Sequence, residues 1–171
     1  MLLSESARMS SASETRFRVQ SSNSQPRSTK LIALDVRSDA LLERLAARAW
    51  NHATFLSASK FGVGLGRKEY ISTDGWLTDL AGRPKNLKEQ VGTADLVAMI
   101  ATAGESARAA ASIGSACSLR RVNTAAFIFG AASASDADIS ESLVQLRPWS
   151  LMVVIAGADD YIEDMMVALR A

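Results

Sequence analysis

From Lys30 onward, short apolar runs alternate with segments of helical period. Residues 31–36 read as a buried strand, and Ser38 is a candidate N-cap for the helix after it. In that helix Leu41, Leu42, Leu45, Ala46, Ala49 and Trp50 recur at spacings that keep one apolar stripe facing the sheet. Residues 53–58 predict a second strand. The stretch 60–94 is less regular: a glycine-rich turn at 62–66, an extended piece at 70–73, the segment 76–80 and a helical piece after Pro84. A third strand at 95–101 leads through Thr102-Ala103-Gly104 into an alanine-rich helix from Glu105 to about Leu119.

Residues 124–129 predict a fourth strand. Ser135 with Asp138 has the spacing of a capping box, opening a helix with Ile139, Leu143, Val144 and Leu146 inward until Pro148 ends it. Residues 151–156 form the fifth strand. Asp159 and Asp160 open a last helix, in which Tyr161, Ile162, Met165, Met166 and Leu169 make one stripe. Strands apolar on both faces and separated by helices predict a parallel sheet covered on both sides. The expected class is α/β: a three-layer, doubly wound Rossmann-like sheet of about five mainly parallel strands.

Residues 1–30 change the picture at one end. They carry Arg8, Arg16, Arg18, Arg27 and Lys30 against Glu5 and Glu14, and are rich in serine. A chain this polar buries too little to offset its ordering entropy, so 1–28 is expected to be a disordered leader and 29–171 a single domain. The same composition describes an organellar transit peptide, or a bacterial tail with the start at Met9. A secretory signal is disfavoured, since Leu2 and Leu3 are no apolar core.

Composition then narrows the chemistry. The chain has 171 residues, 48% of them hydrophobic, and a net charge of +1. That balance argues against a protein built to hold nucleic acid. No run approaches the ~20 apolar residues of a membrane helix, so no membrane partner is expected. One cysteine, Cys117, excludes an internal disulfide and a cysteine zinc cluster, and points to a reducing, cytoplasmic location. One histidine, His52, excludes a two-histidine metal site. His52 reads as a strand-end surface residue and Cys117 as an inert core thiol.

In doubly wound sheets, ligands sit beyond the carboxyl ends of the strands where strand order reverses. Here that point falls between 31–36 and 95–101. The candidate ligand-binding residues are therefore Arg37, Ser38, Thr102, Gly104, Glu105 and Ser106. Gly104 would let backbone approach a ligand. The N–H groups of Glu105, Ser106 and Ala107 would be the free donors of a helix start, ready for an anion. The competing reading makes Thr102 or Ser106 a simple helix cap. A second loop, Gly62-Val63-Gly64-Leu65-Gly66 beside Arg67 and Lys68, follows a strand but matches no phosphate-loop pattern.

The run Ala94-Asp95-Leu96-Val97-Ala98-Met99-Ile100-Ala101-Thr102-Ala103-Gly104 resembles the strand and turn that precede the phosphate loop of tubulin/FtsZ-like GTPases. That family continues with a GGGTGTG-type loop, where this chain reads Glu105-Ser106-Ala107-Arg108-Ala109-Ala110-Ala111. Ala101-Thr102-Ala103-Gly104-Glu105-Ser106 is similar to the SxSGE[ST] loop of phosphosugar-binding SIS domains, keeping Gly-Glu-Ser and losing both earlier serines. Either resemblance implies a divergent member that has lost the standard ligand chemistry. The expected function is binding of a nucleotide or phosphorylated metabolite at 102–106, with or without turnover and with no cofactor indicated. The alternative is a non-catalytic interaction or scaffold protein, acting with a protein partner or as a homo-oligomer. Met165 and Met166 would then face a partner groove or, as such stripes commonly do, the core.

Overall fold

The computed structural model describes residues 27–61, 74–169 and 171. In chain order the elements are β1 (Thr29–Ala33), α1 (Val36–Ala46), β2 (Ala53–Ser57), β3 (Trp76–Asp79), β4 (Pro84–Asn86), α2 (Leu87–Gly92), β5 (Leu96–Thr102), α3 (Ala109–Arg120), β6 (Asn123–Phe129), α4 (Asp136–Leu146), β7 (Met152–Ile155) and α5 (Asp159–Ala168). They build one α/β sheet of seven strands in the order β4-β3-β2-β1-β5-β6-β7. The five strands from β2 through β1, β5 and β6 to β7 are parallel. β3 and β4 form an antiparallel hairpin on the β2 side.

Strand side chains alternate between faces, and here both faces are dry. Ile32, Val97, Met99, Ala126 and Ile128 pack with Leu87 and Val91 of α2, Ile113 and Ala116 of α3, and Leu146 of α4. Leu31, Ala33, Ala98, Ile100, Ala125 and Phe127 pack on the other side with Leu41, Leu42 and Leu45 of α1 and Ile162 and Met166 of α5. Close approach decides one helix position: a Cβ on Gly114 of α3 would run into Trp149, from the 3-10 turn after α4.

The five expected strands are all present; β3 and β4 bring the total to seven. Four and three residues long, partly exposed, and with Pro84 and Lys85 at the rim, they carry no apolar run that periodicity can detect. The extended piece expected at 70–73 and the glycine-rich turn at 62–66 lie outside the described residues. Ser28, expected in the leader, donates its N–H to the Asp95 carboxylate at 2.9 Å and its hydroxyl to Thr93 O at 2.8 Å. Its carbonyl accepts from Asp95 N–H at 2.9 Å.

Several side chains face differently from the expected stripes. α1 ends at Ala46, so Ala49 is exposed. Trp50 folds back beyond the helix, its indole N–H donating to Leu45 O at 2.7 Å. On α4, Ser142 and Leu146 are buried while Val144 is solvent-facing. Tyr161 is exposed, but Met166 is buried and Met165 packs beside it, so the methionine stripe serves the core. The capping box of Ser135 and Asp138 is present as its spacing predicts. Among the described residues no helix is long and apolar enough to cross a membrane.

Candidate functional site

The order in which successive strands are added reverses between β1 and β5. From β1 the chain steps through α1 to β2, whereas β5 leads the other way through α3 to β6 and on to β7. The loops leaving β1 and β5 therefore diverge and leave a cleft above the sheet. A cavity of about 280 Å³ lies there, lined by Asp35, Val36 and Arg37 after β1, Ala58, Ser59 and Phe61 after β2, and Glu105, Ser106 and Arg108 after β5.

Its floor is set by one buried carboxylate. Asp35 ends the apolar run of β1 and is the N-cap of α1, so the cap is Asp35 and not Ser38. Ser38 is the third helical residue and completes a capping box: its N–H donates to Asp35 Oδ1 at 2.9 Å, and its Oγ accepts from Asp35 N–H at 3.0 Å. The same carboxylate reaches across to β5. Thr102 N–H donates to Asp35 Oδ2 and Thr102 Oγ1 to Asp35 Oδ1, each at 2.8 Å. Ser38 and Thr102 are both buried by these bonds, beneath the cleft and not on its wall.

The loop after β5 is held from the other side by α4. Gly104 N–H donates to Ser142 Oγ at 3.0 Å, and Ala107 N–H to Gln145 Oε1 at 2.7 Å. Glu105 N–H turns back to Thr102 O at 3.0 Å. Two of the three N–H groups expected to be free for an anion are thus already bonded within the chain. The helix itself starts at Ala109 instead of Glu105, and neither Thr102 nor Ser106 caps it, since its N-terminus has no side-chain cap bond. Gly104 has φ +82°, and a Cβ there would meet Asp138 Cβ at 3.0 Å. Its lack of a side chain makes room for α4, not for a ligand.

Of the six candidates, Arg37, Glu105 and Ser106 line the cavity, while Ser38, Thr102 and Gly104 brace it. Arg108, which no sequence motif marks, brings a second guanidinium to the wall. Among the described residues, neither Arg37 nor Arg108 forms an ion pair with a carboxylate. Arg108 escaped notice because the alanines after it hide where the helix begins. Ser59 and Phe61 follow the end of β2, a strand end that the sequence did not connect with this cleft.

The remaining candidates lie elsewhere. His52 is exposed before β2, where its carbonyl accepts from Thr29 N–H at 3.0 Å. Cys117 is buried on α3, and burial pushes its thiol pKa up to about 12, which leaves no thiolate near neutral pH. Asp79 holds the β3–β4 turn through Arg83, and Asp74 pairs with Lys88. Gly62-Val63-Gly64-Leu65-Gly66, Arg67 and Lys68 are outside the described residues. Among the described residues no cluster of three or more His, Cys, Asp or Glu has the arrangement to hold a metal. Compared with known proteins, the chain matches no family model and no curated protein.

Proposed function

We propose that this chain is a divergent, three-layer, doubly wound Rossmann-like domain that binds a small phosphorylated metabolite in the cleft between the β1 and β5 loops. The observation that carries this reading is the pair Arg37, in the first turn of α1, and Arg108, just before α3, on either side of that cleft and without carboxylate partners among the described residues. Two guanidiniums converging on one cavity suit a phosphate, whose oxygens accept several charge-assisted bonds at once. Ser59 and Ser106 add hydroxyl donors.

Size and charge select within the class. A cavity of about 280 Å³ is at the small end for ligand sites and suits a compact metabolite better than a nucleoside triphosphate. Glu105 on the same wall opposes a polyphosphate and favours a ligand whose remainder offers hydroxyl or amine donors. These features fit the resemblance to phosphosugar-binding SIS domains better than that to tubulin/FtsZ-like GTPases. The competing reading, a fold kept for assembly without a ligand, draws on the bonded N–H groups of Gly104, Glu105 and Ala107.

The test is a thermal-shift panel on the full chain with inorganic phosphate, sugar phosphates and nucleotides, repeated on Arg37→Ala and Arg108→Ala. A ligand at 100 times its Kd adds about 2.7 kcal/mol of stability. Sugar phosphates are expected to shift Tm most, and each arginine variant to lose the shift while keeping its unliganded Tm. A flat panel, or a shift that survives both substitutions, overturns the reading.

A further inference from the structure

The two edges of the sheet are built differently. At the β4 edge stand Pro84, which has no N–H to offer, and Lys85, both common guards against strand pairing. The β7 edge reads Met152-Val153-Val154-Ile155, with no charge, proline or glycine, and no described strand pairs with its outer side. Beside it Leu151 is 79% and Ile155 45% exposed.

We propose that this edge pairs with β7 of a second copy, antiparallel about a twofold axis through Val153, so that one sheet runs through both chains. Val153 packs on the α3 side of the sheet and Met152 and Val154 on the α1 side. Leu151, Val153 and Ile155 therefore share a face. A twofold axis perpendicular to the sheet keeps faces matched and sets each residue opposite its mirror position around Val153. Leu151 is two residues before Val153 and Ile155 two after. Each copy's exposed leucine then covers the other's exposed isoleucine, twice, with Val153 opposite itself at the centre.

Self-pairing thus satisfies the backbone edge and the apolar pair together. The surface is independent of the ligand cleft, which lies over β1, β2 and β5.

Sedimentation velocity and light scattering on the full chain test this. The expected mass is twice that of the 18.2 kDa chain. Leu151→Lys and Ile155→Lys, both at exposed positions, are each expected to raise the dimer Kd at least tenfold with Tm of the isolated chain unchanged. The double variant Leu151→Lys/Ile155→Glu, whose new charges oppose each other across the axis, is expected to recover the dimer. A parent chain that is monomeric at every accessible concentration overturns the proposal, whether another protein's strand or residues outside the described set cover the edge. So does a dimer that survives both lysine substitutions, or a double variant that stays monomeric.

Discussion

Asp35 grips Thr102 with both carboxylate oxygens, Oδ2 on the backbone N–H and Oδ1 on the hydroxyl, each at 2.8 Å. One side chain thereby ties the end of β1 to the end of β5, the two loops that diverge to make the cleft. It also caps α1 through Ser38. The cleft is shaped by this clamp before any ligand arrives.

Asp35→Ala is accordingly expected to cost about 3–5 kcal/mol, because it removes a cap and strands the donors of Thr102 in a buried place. Asp35→Asn keeps one accepting oxygen and is expected to cost about 1–3 kcal/mol. Urea denaturation of both variants measures this. A loss below about 0.5 kcal/mol for Asp35→Ala would mean the clamp adds nothing to folding.

Gly104 gives a second expectation. A side chain there must adopt a left-handed backbone, which costs about 1–2 kcal/mol, and must also displace Asp138. Gly104→Ala is expected to lower stability by about 2–3 kcal/mol with the ligand cleft otherwise intact. Ser142→Ala, which frees the Gly104 N–H, is expected to cost about 1 kcal/mol. Equal stability of Gly104→Ala and the parent would mean that the loop is not held at this φ.

Much of the architecture was legible in the sequence because its signals are local. The runs in β1, β5 and β6 are apolar on both faces, and the Ser135–Asp138 spacing names its own cap. β3 and β4 were not legible, since their pairing partners are set by tertiary contact and their residues are mixed. The site was half legible. Strand order located the two loops and Arg37, Glu105 and Ser106 on the wall. The expected free donors failed because Ser142 and Gln145, some 38 residues later, supply the acceptors, and no local pattern announces a bond at that range. Asp35 was hidden by the apolar run it terminates.

Acid should act on the same brace. Side-chain and backbone hydrogen bonds from Ser135 hold the Asp138 carboxyl below its ordinary 3.8, with partial burial opposing them. A depressed folded-state pKa gives stability that is complete above the ordinary value and is lost as pH falls through the lowered one. Ser135→Ala removes the hydroxyl donor and the N-cap acceptor of α4 but keeps the backbone N–H, so its Tm is expected to lie below the parent's at pH 7 and the gap to narrow, without closing, as pH falls below 3.8. A Tm gap that stays constant down to pH 2 would exclude this linkage.

Lys30 is the opposite case. It is only 8% exposed on β1, its Nζ donates to Thr54 Oγ1 at 3.0 Å, and no described carboxylate pairs with it. Burial lowers its pKa from the ordinary 10.5. A buried ammonium with one neutral acceptor disfavours the fold, and the hydrogen bond, worth about 0.5–1.5 kcal/mol, only partly offsets that. Between the lowered pKa and 10.5 the unfolded chain binds more protons than the folded one, so this group makes stability rise with pH. Lys30→Met keeps the apolar stem and removes the charge, while the half-buried Thr54 hydroxyl can turn to water. It is expected to be more stable than the parent at pH 7, with the advantage shrinking as pH climbs toward 10.5. Denaturation of parent and variant across pH 7–10.5 measures the gap. A variant that is less stable throughout would show that the Lys30–Thr54 bond outweighs the burial of the charge.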